Sequence, residues 1–312
     1  MLNALAEVPL APFTTLRAGG PAQRLILLDS AEQLAEVAAV AQVVGEPLTV
    51  LGSGSNVLPS DLGVEGTVLI NRSRGLKIEP DGTVTADSGI LLQDLFLKTV
   101  QQGLTGLEFA VGIPGTLGGA LASNAGAYRS SIGSFVTAVE VVEGGLVRWE
   151  PASFLKLSYR HSILREPAGR GIVVTGVGLP LQPWDSWRAL QDAREFQRQR
   201  ISKQPAPASA GSFFKNVEDR GLAESLPGLP QALKDAGVVP AGYLLEAVGL
   251  RGFRHGGAMF SHRHANFLLN VARATATEIR ELAEIAKERV YDRFRRRLEE
   301  EVLLLGRWIN PS

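Results

Sequence analysis

The 312-residue chain is 45% hydrophobic and 21% charged, a globular composition on a chain long enough for two or three cores. It has no cysteine, which excludes disulfides, thiol nucleophiles and cysteine-ligated metals, and no apolar run reaches the length of a membrane span. Its 32 Lys+Arg balance 32 Asp+Glu, but residues 1–150 are net −7 (8 against 15) and residues 151–312 net +7 (24 against 17), so the second half suits an anionic ligand.

No basic tract with interleaved aromatics points to nucleic acid. The N-terminus lacks a basic flank before an apolar core, so no signal peptide is expected. The expectation is a cytoplasmic protein with no membrane contact and no obligate protein partner.

In chain order, Arg24-Leu-Ile-Leu-Leu28 reads as a strand. Ser30-Ala-Glu-Gln33 reads as a capping box opening a helix, with Leu34, Val37, Ala38 and Ala41 on one face. Leu48-Thr-Val-Leu51 completes a βαβ unit. At its carboxyl end stands Gly52-Ser53-Gly54-Ser55-Asn56. Open α/β units gather ligands at such ends, and the residue types make a reasonable phosphate nest. From this motif alone a tight Gly/Ser turn is the stronger reading. No Gly-Lys-Ser/Thr follows, so it is not a phosphate-binding loop of the nucleotide-triphosphatase kind.

Residues 64–90 alternate around turns and predict short strands, and a helix is expected over about 91–102. Residues 106–128 then hold six glycines and one charge, Glu108. Glycine weakens helix and strand alike, so this stretch reads as backbone lying very close to something flat or phosphorylated. Its Gly115-Thr116-Leu-Gly118-Gly119 portion predicts a short helix whose N-terminus offers free N–H groups to a diphosphate. Asn124, Gly126 and Tyr128 leave it as a loop.

A hairpin is expected over 135–149 around Glu143-Gly-Gly145, then Ser158-Tyr159-Arg160 after a short apolar helix. A strand over 171–179 and a helix over 187–200 follow, the latter ending in a basic cluster of Arg198, Arg200 and Lys203. The Pro/Ala-rich residues 204–211 mark the clearest domain boundary. Beyond them, Ser212-Phe-Phe-Lys-Asn216 suggests a packed strand that aims polar groups at one site; an ordinary edge strand remains credible on spacing alone. Thr275-Ala-Thr-Glu278 is a second capping box, opening a long helix with Ile279, Leu282, Ala286, Val290 and Phe294 on its apolar face. Residues 298–306 turn from acidic to apolar and predict a final strand. Glu299, Glu300 and Glu301 read as a solvated face able to pair Arg295, Arg296 and Arg297. Of the four histidines, His255, His262 and His264 cluster, but no third ligand accompanies the His262/His264 pair, so no metal is expected.

Taken together and in order, eight segments resemble the UDP-N-acetylenolpyruvylglucosamine reductase (MurB) family of peptidoglycan synthesis. They are Thr15-Leu-Arg-x-Gly-Gly-Pro-Ala22, Leu51-Gly-Ser-Gly-Ser-Asn-Val-Leu58, Gly112-Ile-Pro-Gly-Thr-Leu-Gly-Gly-Ala120, Asn124-Ala-Gly-Ala-Tyr128, Ser158-Tyr-Arg160, Ala210-Gly-Ser-Phe-Phe-Lys-Asn216, Ala241-Gly-Tyr-Leu-Leu-Glu246 and Leu298-Glu-x-Glu-Val302. The resemblance spans nearly the whole chain and matches the subtype without an extra tyrosine-bearing loop. Departures include Val217 and Glu300, both where the family commonly has proline.

The resemblance implies an α+β fold of the vanillyl-alcohol-oxidase FAD-binding type. It consists of subdomain 1 (1–59), subdomain 2 (60–198, with a C-terminal strand in 299–312) and a smaller α+β substrate domain (199–298). It implies noncovalent FAD walled by Gly52, Ser53, Gly54, Ser55, Asn56, Gly115, Thr116, Gly118, Gly119, Asn124 and Gly126, and NADPH as reductant. The implied substrate is a UDP-sugar bearing a diphosphate and a carboxylate, UDP-N-acetylglucosamine enolpyruvate, facing Tyr159, Lys203 and Asn216. Ser212 is the implied proton donor, Arg160 the carboxylate-holding arginine and Glu301 the acid that completes the site. Another noncovalent-FAD oxidoreductase of this fold, acting on a sugar or alcohol, is the alternative.

Overall fold

The computed structural model describes residues 3–205 and 208–309. Ala206 and Pro207 of the expected 204–211 connector lie outside the described residues, as do the ends of the expected 1–59 and 299–312 segments. Two compact units emerge: Met1–Val8, Ala22–Gly54 and Val64–Ser202 make one; Pro9–Pro21, Ser55–Gly63 and Lys203–Ser312 make the other.

The first unit begins with a four-stranded sheet ordered Leu5–Pro9, Pro21–Leu28, Val64–Asn71, Leu48–Leu51. Helix α1, Ala31–Val43, connects two strands that both run parallel to Val64–Asn71. The expected βαβ unit is therefore present, with a later strand inserted between its two strands. That strand corrects the expectation of short alternating strands after residue 64. It is eight residues long and buried at every position but one, because a central parallel strand is covered on both faces. Ser30 accepts from the Gln33 N–H, as a capping box requires, but Gln33 answers to the Asp29 N–H rather than to that of Ser30.

The second sheet of this unit is antiparallel, ordered Leu146–Pro151, Ala138–Glu143, Val173–Pro180, Thr83–Asp87, Leu76–Ile78. The hairpin over 138–151 falls where its Gly-Gly turn predicts. Helices α2 (Leu92–Gln101), α3 (Leu117–Ser123) and α4 (Ser186–Lys203) share a core with this sheet, built on Ile90, Leu95, Phe96, Leu117, Leu121, Val139, Val177 and Ala193.

The second unit packs α5 (Arg220–Ser225), α6 (Gln231–Ala236), α7 (Ala241–Ala247) and α8 (Ala276–Phe294) with a three-stranded antiparallel sheet, Arg254–His255, Ala258–Phe260 and Leu268–Asn270. A parallel pair joins Leu303–Leu305 to Val57–Pro59. The α8 capping box forms as expected, with Thr275 accepting from Glu278 and Glu278 from Thr275. Asp61 adds a second cap, accepting from the Ala276 and Thr277 N–H groups where the helix dipole favours a negative charge. The buried face of α8 is Ile279, Leu282, Ala283, Ala286 and Val290.

The histidines have local partners. His255 bonds Glu281 at 2.8 Å, and Gly252 comes so close to His262 that a Cβ there would lie 2.1 Å from the ring. His264 stacks edge-on against Phe267 at 5.1 Å and accepts the Asn266 N–H through Nδ1. Among the described residues no group of His, Asp and Glu is arranged to hold a metal ion.

Burial, the largest cause, holds the His264 pKa below its ordinary value; repulsion from Arg251 and Lys203 adds to this, and Glu246 opposes it. The unfolded chain therefore binds the proton more readily. His264 contributes stability that is present above its unfolded pKa of about 6.5 and lost as pH falls through the folded value. His264→Asn, which keeps an acceptor for Asn266, should flatten the fall of melting temperature between about pH 7 and 5. Thermal melts across that range check it, and an unchanged slope refutes it.

Candidate active site

In the first unit, the glycines of residues 106–128 and the Gly52 loop meet the protein itself. A Cβ on Gly52 would lie 2.1 Å from Thr116 Oγ1, one on Gly118 would lie 3.0 Å from the Ser88 Cβ, and one on Gly126 would lie 2.4 Å from the Ser130 carbonyl. These three glycines let the Gly52 loop, α3 and the following turn close on one another.

The expectation that α3 starts with free N–H groups is overturned. Leu117 donates to the Ile90 carbonyl, Gly118 to the Ser88 carbonyl and Gly119 to Thr116 Oγ1, which caps the helix. The anchor continues inward, for the Ser88 hydroxyl accepts from Asn71 and donates to the Val174 carbonyl. Gly115 takes a left-handed φ of 134° and its carbonyl accepts the Leu92 N–H. The Gly52 loop offers further donors. Gly54 has φ +58°, and among the described residues the Ser53 and Gly54 N–H groups meet no acceptor. Two neighbouring backbone donors in such a turn fit the diphosphate of a dinucleotide.

Asn124 ends α3 in the left-handed region, φ +43°, accepts the Gly133 N–H and donates to the Ser158 carbonyl. It thereby ties the helix to the turn that carries Tyr159 and Arg160. In that turn Ser158 and His161 exchange backbone bonds, and Arg160 has φ +52°. The Arg160 guanidinium lies 5.9 Å from the centre of the Tyr159 ring, which is half exposed.

Arg200, part of the basic cluster near the end of α4 but given no role by sequence, belongs to the same neighbourhood. Its guanidinium lies 5.7 Å from the centre of the Tyr128 ring, and Tyr128 stacks on Phe196 at 3.9 Å. Its Nε is buried and has no hydrogen-bond partner. Burial first, and then repulsion from Arg160, hold the Arg200 pKa below its ordinary value against the opposing pull of Tyr128. Two cations near enough to repel each other make a receptor for an anion.

In the second unit, Ser212–Lys215 is not the packed strand expected of Ser212-Phe-Phe-Lys-Asn216. It is a short segment clamped from two sides by single bridges, Ser212 to Phe267 and Phe214 to Glu300. On one side Asn266, buried, takes three bonds: its carbonyl accepts the Phe213 N–H, its side-chain oxygen accepts the Phe214 N–H and its amide donates to the Phe214 carbonyl. On the other side Glu301 donates its N–H to the Phe213 carbonyl and Lys215 donates its own to Glu299. Phe213 and Phe214 are both 1% exposed and meet edge to face at 5.2 Å, so the serine stands on backbone pinned by two buried rings. Asn56 closes the frame by donating to the Glu301 carbonyl and accepting the Leu303 N–H.

Asn216 points its side-chain oxygen at the Ala241 N–H and so caps α7. Lys203 is exposed at the end of α4. Glu299 and Glu300 do not pair the neighbouring arginines as expected. Glu299 binds Lys215 and Glu300 binds Lys287, while Arg296 binds Asp219 and Arg295 lies nearest Asp292. The structure thus joins the segments of Ser212, Asn56 and Glu301 in one unit, and the turns of Asn124, Tyr159 and Arg160 in the other. Asn266 stands in the run Ala265-Asn-Phe-Leu-Leu-Asn270, whose spacing does not mark it.

Residues 22–145 match the model of an FAD binding domain, and residues 202–305 that of the UDP-N-acetylenolpyruvoylglucosamine reductase C-terminal domain. The chain is 38% identical over 311 residues to the UDP-N-acetylenolpyruvoylglucosamine reductase of Synechococcus sp. (strain JA-3-3Ab), covering 98% of this chain and 92% of that protein. It is 37% identical over 303 residues to the enzyme of the same name from Rubrobacter xylanophilus, covering 96% and 94%. Among solved structures, the UDP-N-acetylenolpyruvylglucosamine reductase (MurB) of Thermus caldophilus superimposes with a TM-score of 0.75 at 31% identity, covering 98% of this chain and 99% of that one. The architecture is the α+β, vanillyl-alcohol-oxidase-type FAD fold that the sequence motifs imply.

Proposed function

Since the chain belongs to the UDP-N-acetylenolpyruvoylglucosamine reductase family, we propose that it reduces the enolpyruvyl group of UDP-N-acetylglucosamine enolpyruvate to give UDP-N-acetylmuramate for peptidoglycan synthesis, with NADPH as reductant and noncovalently bound FAD. The observation that supports it most directly is the backbone bond from Glu301 to Phe213, which ties the expected acid's segment to that of the expected proton donor across nearly ninety residues of chain. The soluble nucleotides of this reaction suit a cytoplasmic enzyme. The division into FAD-binding segments 1–59 and 60–198 and a substrate-binding segment 199–298 belongs to the same proposal.

FAD, when bound, supplies the hydride chemistry between NADPH and the enolpyruvyl double bond. Ser53 and Gly54 would hold it through their free N–H groups, inside the wall made by residues 52–56 and 115–126. The chain's own residues manage charge and protons. Negative charge develops next to the substrate carboxylate during reduction and needs cationic or hydrogen-bonding partners. Arg160 fills that role, its left-handed turn held by Asn124, and Arg200 reinforces the local positive field. Ser212 gives the proton to the adjacent carbon, and Glu301 completes the site. Tyr159, Lys203 and Asn216 bind substrate, Lys203 as a point charge for diphosphate or carboxylate and Asn216 through what its capping of α7 leaves available.

Purified protein should be yellow, should oxidise NADPH, and should do so with sustained turnover only when UDP-N-acetylglucosamine enolpyruvate is supplied. Colourless protein, or flavin reduced by NADPH and left unoxidised by that substrate, would refute the assignment. Replacing Arg200 with Met should raise the KM for the UDP-sugar about tenfold or more, the worth of one charge-assisted contact. An unchanged KM in steady-state assays would remove Arg200 from the anion site.

A further inference from the structure

Beyond these roles, the geometry points to Lys287 as a positioning residue for the reaction, acting from α8 through Glu300 on the segment that carries Glu301. It rests on the reading of Glu301 given above.

Lys287 lies within α8, seven residues before its last residue, Phe294. Its Nζ lies 2.7 Å from Glu300 Oε1 and 2.9 Å from Glu284 Oε1. The Lys287 side chain is 28% exposed and that of Glu300 only 13%. Burial alone would lower the Lys287 pKa, yet the pull of the Glu300 and Glu284 carboxylates outweighs that and raises it, so the ammonium is held charged between two carboxylates. Glu300 in turn faces Phe214 across a single antiparallel bridge, with bonds from Lys215 to Glu299 and from Glu301 to Phe213 on either side. Lys215 binds Glu299 at 3.2 Å. The short run 299–301 is thus held by one salt bridge at each of its first two glutamates and by the Asn56 side chain at its third.

Among the described residues no other strand covers this run: the final parallel pair starts only at Leu303. With so few ladder bonds, the side-chain clamps decide where the Glu301 backbone rests. Removing the lysine would leave the Glu300 carboxylate buried with no cation, which costs far more than the pair contributes. The run would move outward to hydrate it, and Glu301 would move too. A displacement of about 1 Å is enough to cost up to a hundredfold in rate.

Glu300 also offers a way to separate clamp from charge. The two ladder bonds use the N–H groups of Lys215 and Glu301 and leave that of Glu300 outside the pair, so a proline fits there without loss of a ladder bond. Proline removes the buried carboxylate and stiffens the run.

The test compares Lys287→Met, Lys287→Arg and the double variant Lys287→Met/Glu300→Pro with wild type. Two readouts are used: substrate-dependent NADPH oxidation, and amide hydrogen exchange of the peptide that contains Glu301. Lys287→Met should lower kcat about tenfold or more with substrate KM within about twofold, and should speed exchange at the Glu301 amide about tenfold. Lys287→Arg and the double variant should return both readouts to within about threefold of wild type. Wild-type kcat and exchange in Lys287→Met would overturn the proposal, and so would a double variant as slow as the single one. If Lys287→Met does not fold, Lys287→Gln decides by the same readouts: slow turnover with fast exchange supports the clamp and wild-type values refute it. Absence of turnover in wild type would instead count against the function proposed above, and the exchange readout would still judge the clamp.

Discussion

Ser212→Ala should leave the NADPH-driven reduction of the bound flavin at its wild-type rate and slow the substrate-driven half of the cycle by about 10³-fold, the scale of a positioned general acid. The selectivity follows from where Ser212 sits. Its backbone bridges Phe267, and the neighbouring bonds of Phe213 and Phe214 to Asn266 and Glu301 are main-chain or asparagine bonds. None of these uses the serine hydroxyl, so its removal spares the frame. A serine is a weak acid, so its hydroxyl depends on its neighbours to give up the proton. Stopped-flow measurement of the two half-reactions separates the outcomes. Equal slowing of both halves would mean the residue acts on the fold or on cofactor binding, and undiminished turnover would remove it as the proton donor.

The second large effect belongs to Asn266→Ala. The side chain satisfies both the N–H and the carbonyl of Phe214 in a site that is 3% exposed. Alanine leaves two buried backbone groups without partners, each costing about 1–3 kcal/mol, and opens a cavity beneath the two rings. Destabilisation of about 3 kcal/mol, or roughly 10 °C in melting temperature, is expected. Turnover should fall as well, because the segment that carries Ser212 loses one of its two clamps. Asn266→Asp is the sharper control: a carboxylate still accepts the Phe214 N–H but cannot donate to the carbonyl when ionised. It should fall between wild type and alanine in thermal melts. Wild-type stability for the alanine variant would show that another group satisfies Phe214.

Much of the architecture was readable before any coordinates. The Thr275–Glu278 box, the Gly-Gly hairpin turn at 144–145 and the apolar face of α8 are patterns whose partners lie within a few residues, so the pattern and the structure coincide. Residues 106–128 were read as backbone lying close to something flat or phosphorylated, and the Gly52 motif taken alone as a tight turn. Much of what they approach, however, is the protein: Thr116, Ser88 and Ser130 fill the space that three glycines leave. The Ser212 segment was read as a packed strand from its two rings beside polar residues, yet among the described residues it makes only isolated bridges. Its rings are buried because two distant segments close over them.

Chemistry-bearing residue types, helix caps and turns came from sequence, because each is specified by neighbours within about one turn of chain. Their motifs in order were enough to indicate an FAD-dependent reductase. Tertiary structure alone decided which glutamate is clamped to which lysine, that Asn266 holds the serine segment from 52 residues away, that Val64–Asn71 enters the sheet between two earlier strands, and that Arg200 comes close enough to Arg160 to feel its charge. The reason is the same in each case. A bond between segments far apart in the chain leaves no periodicity or spacing in either one, and its partner is chosen by burial once the core has closed.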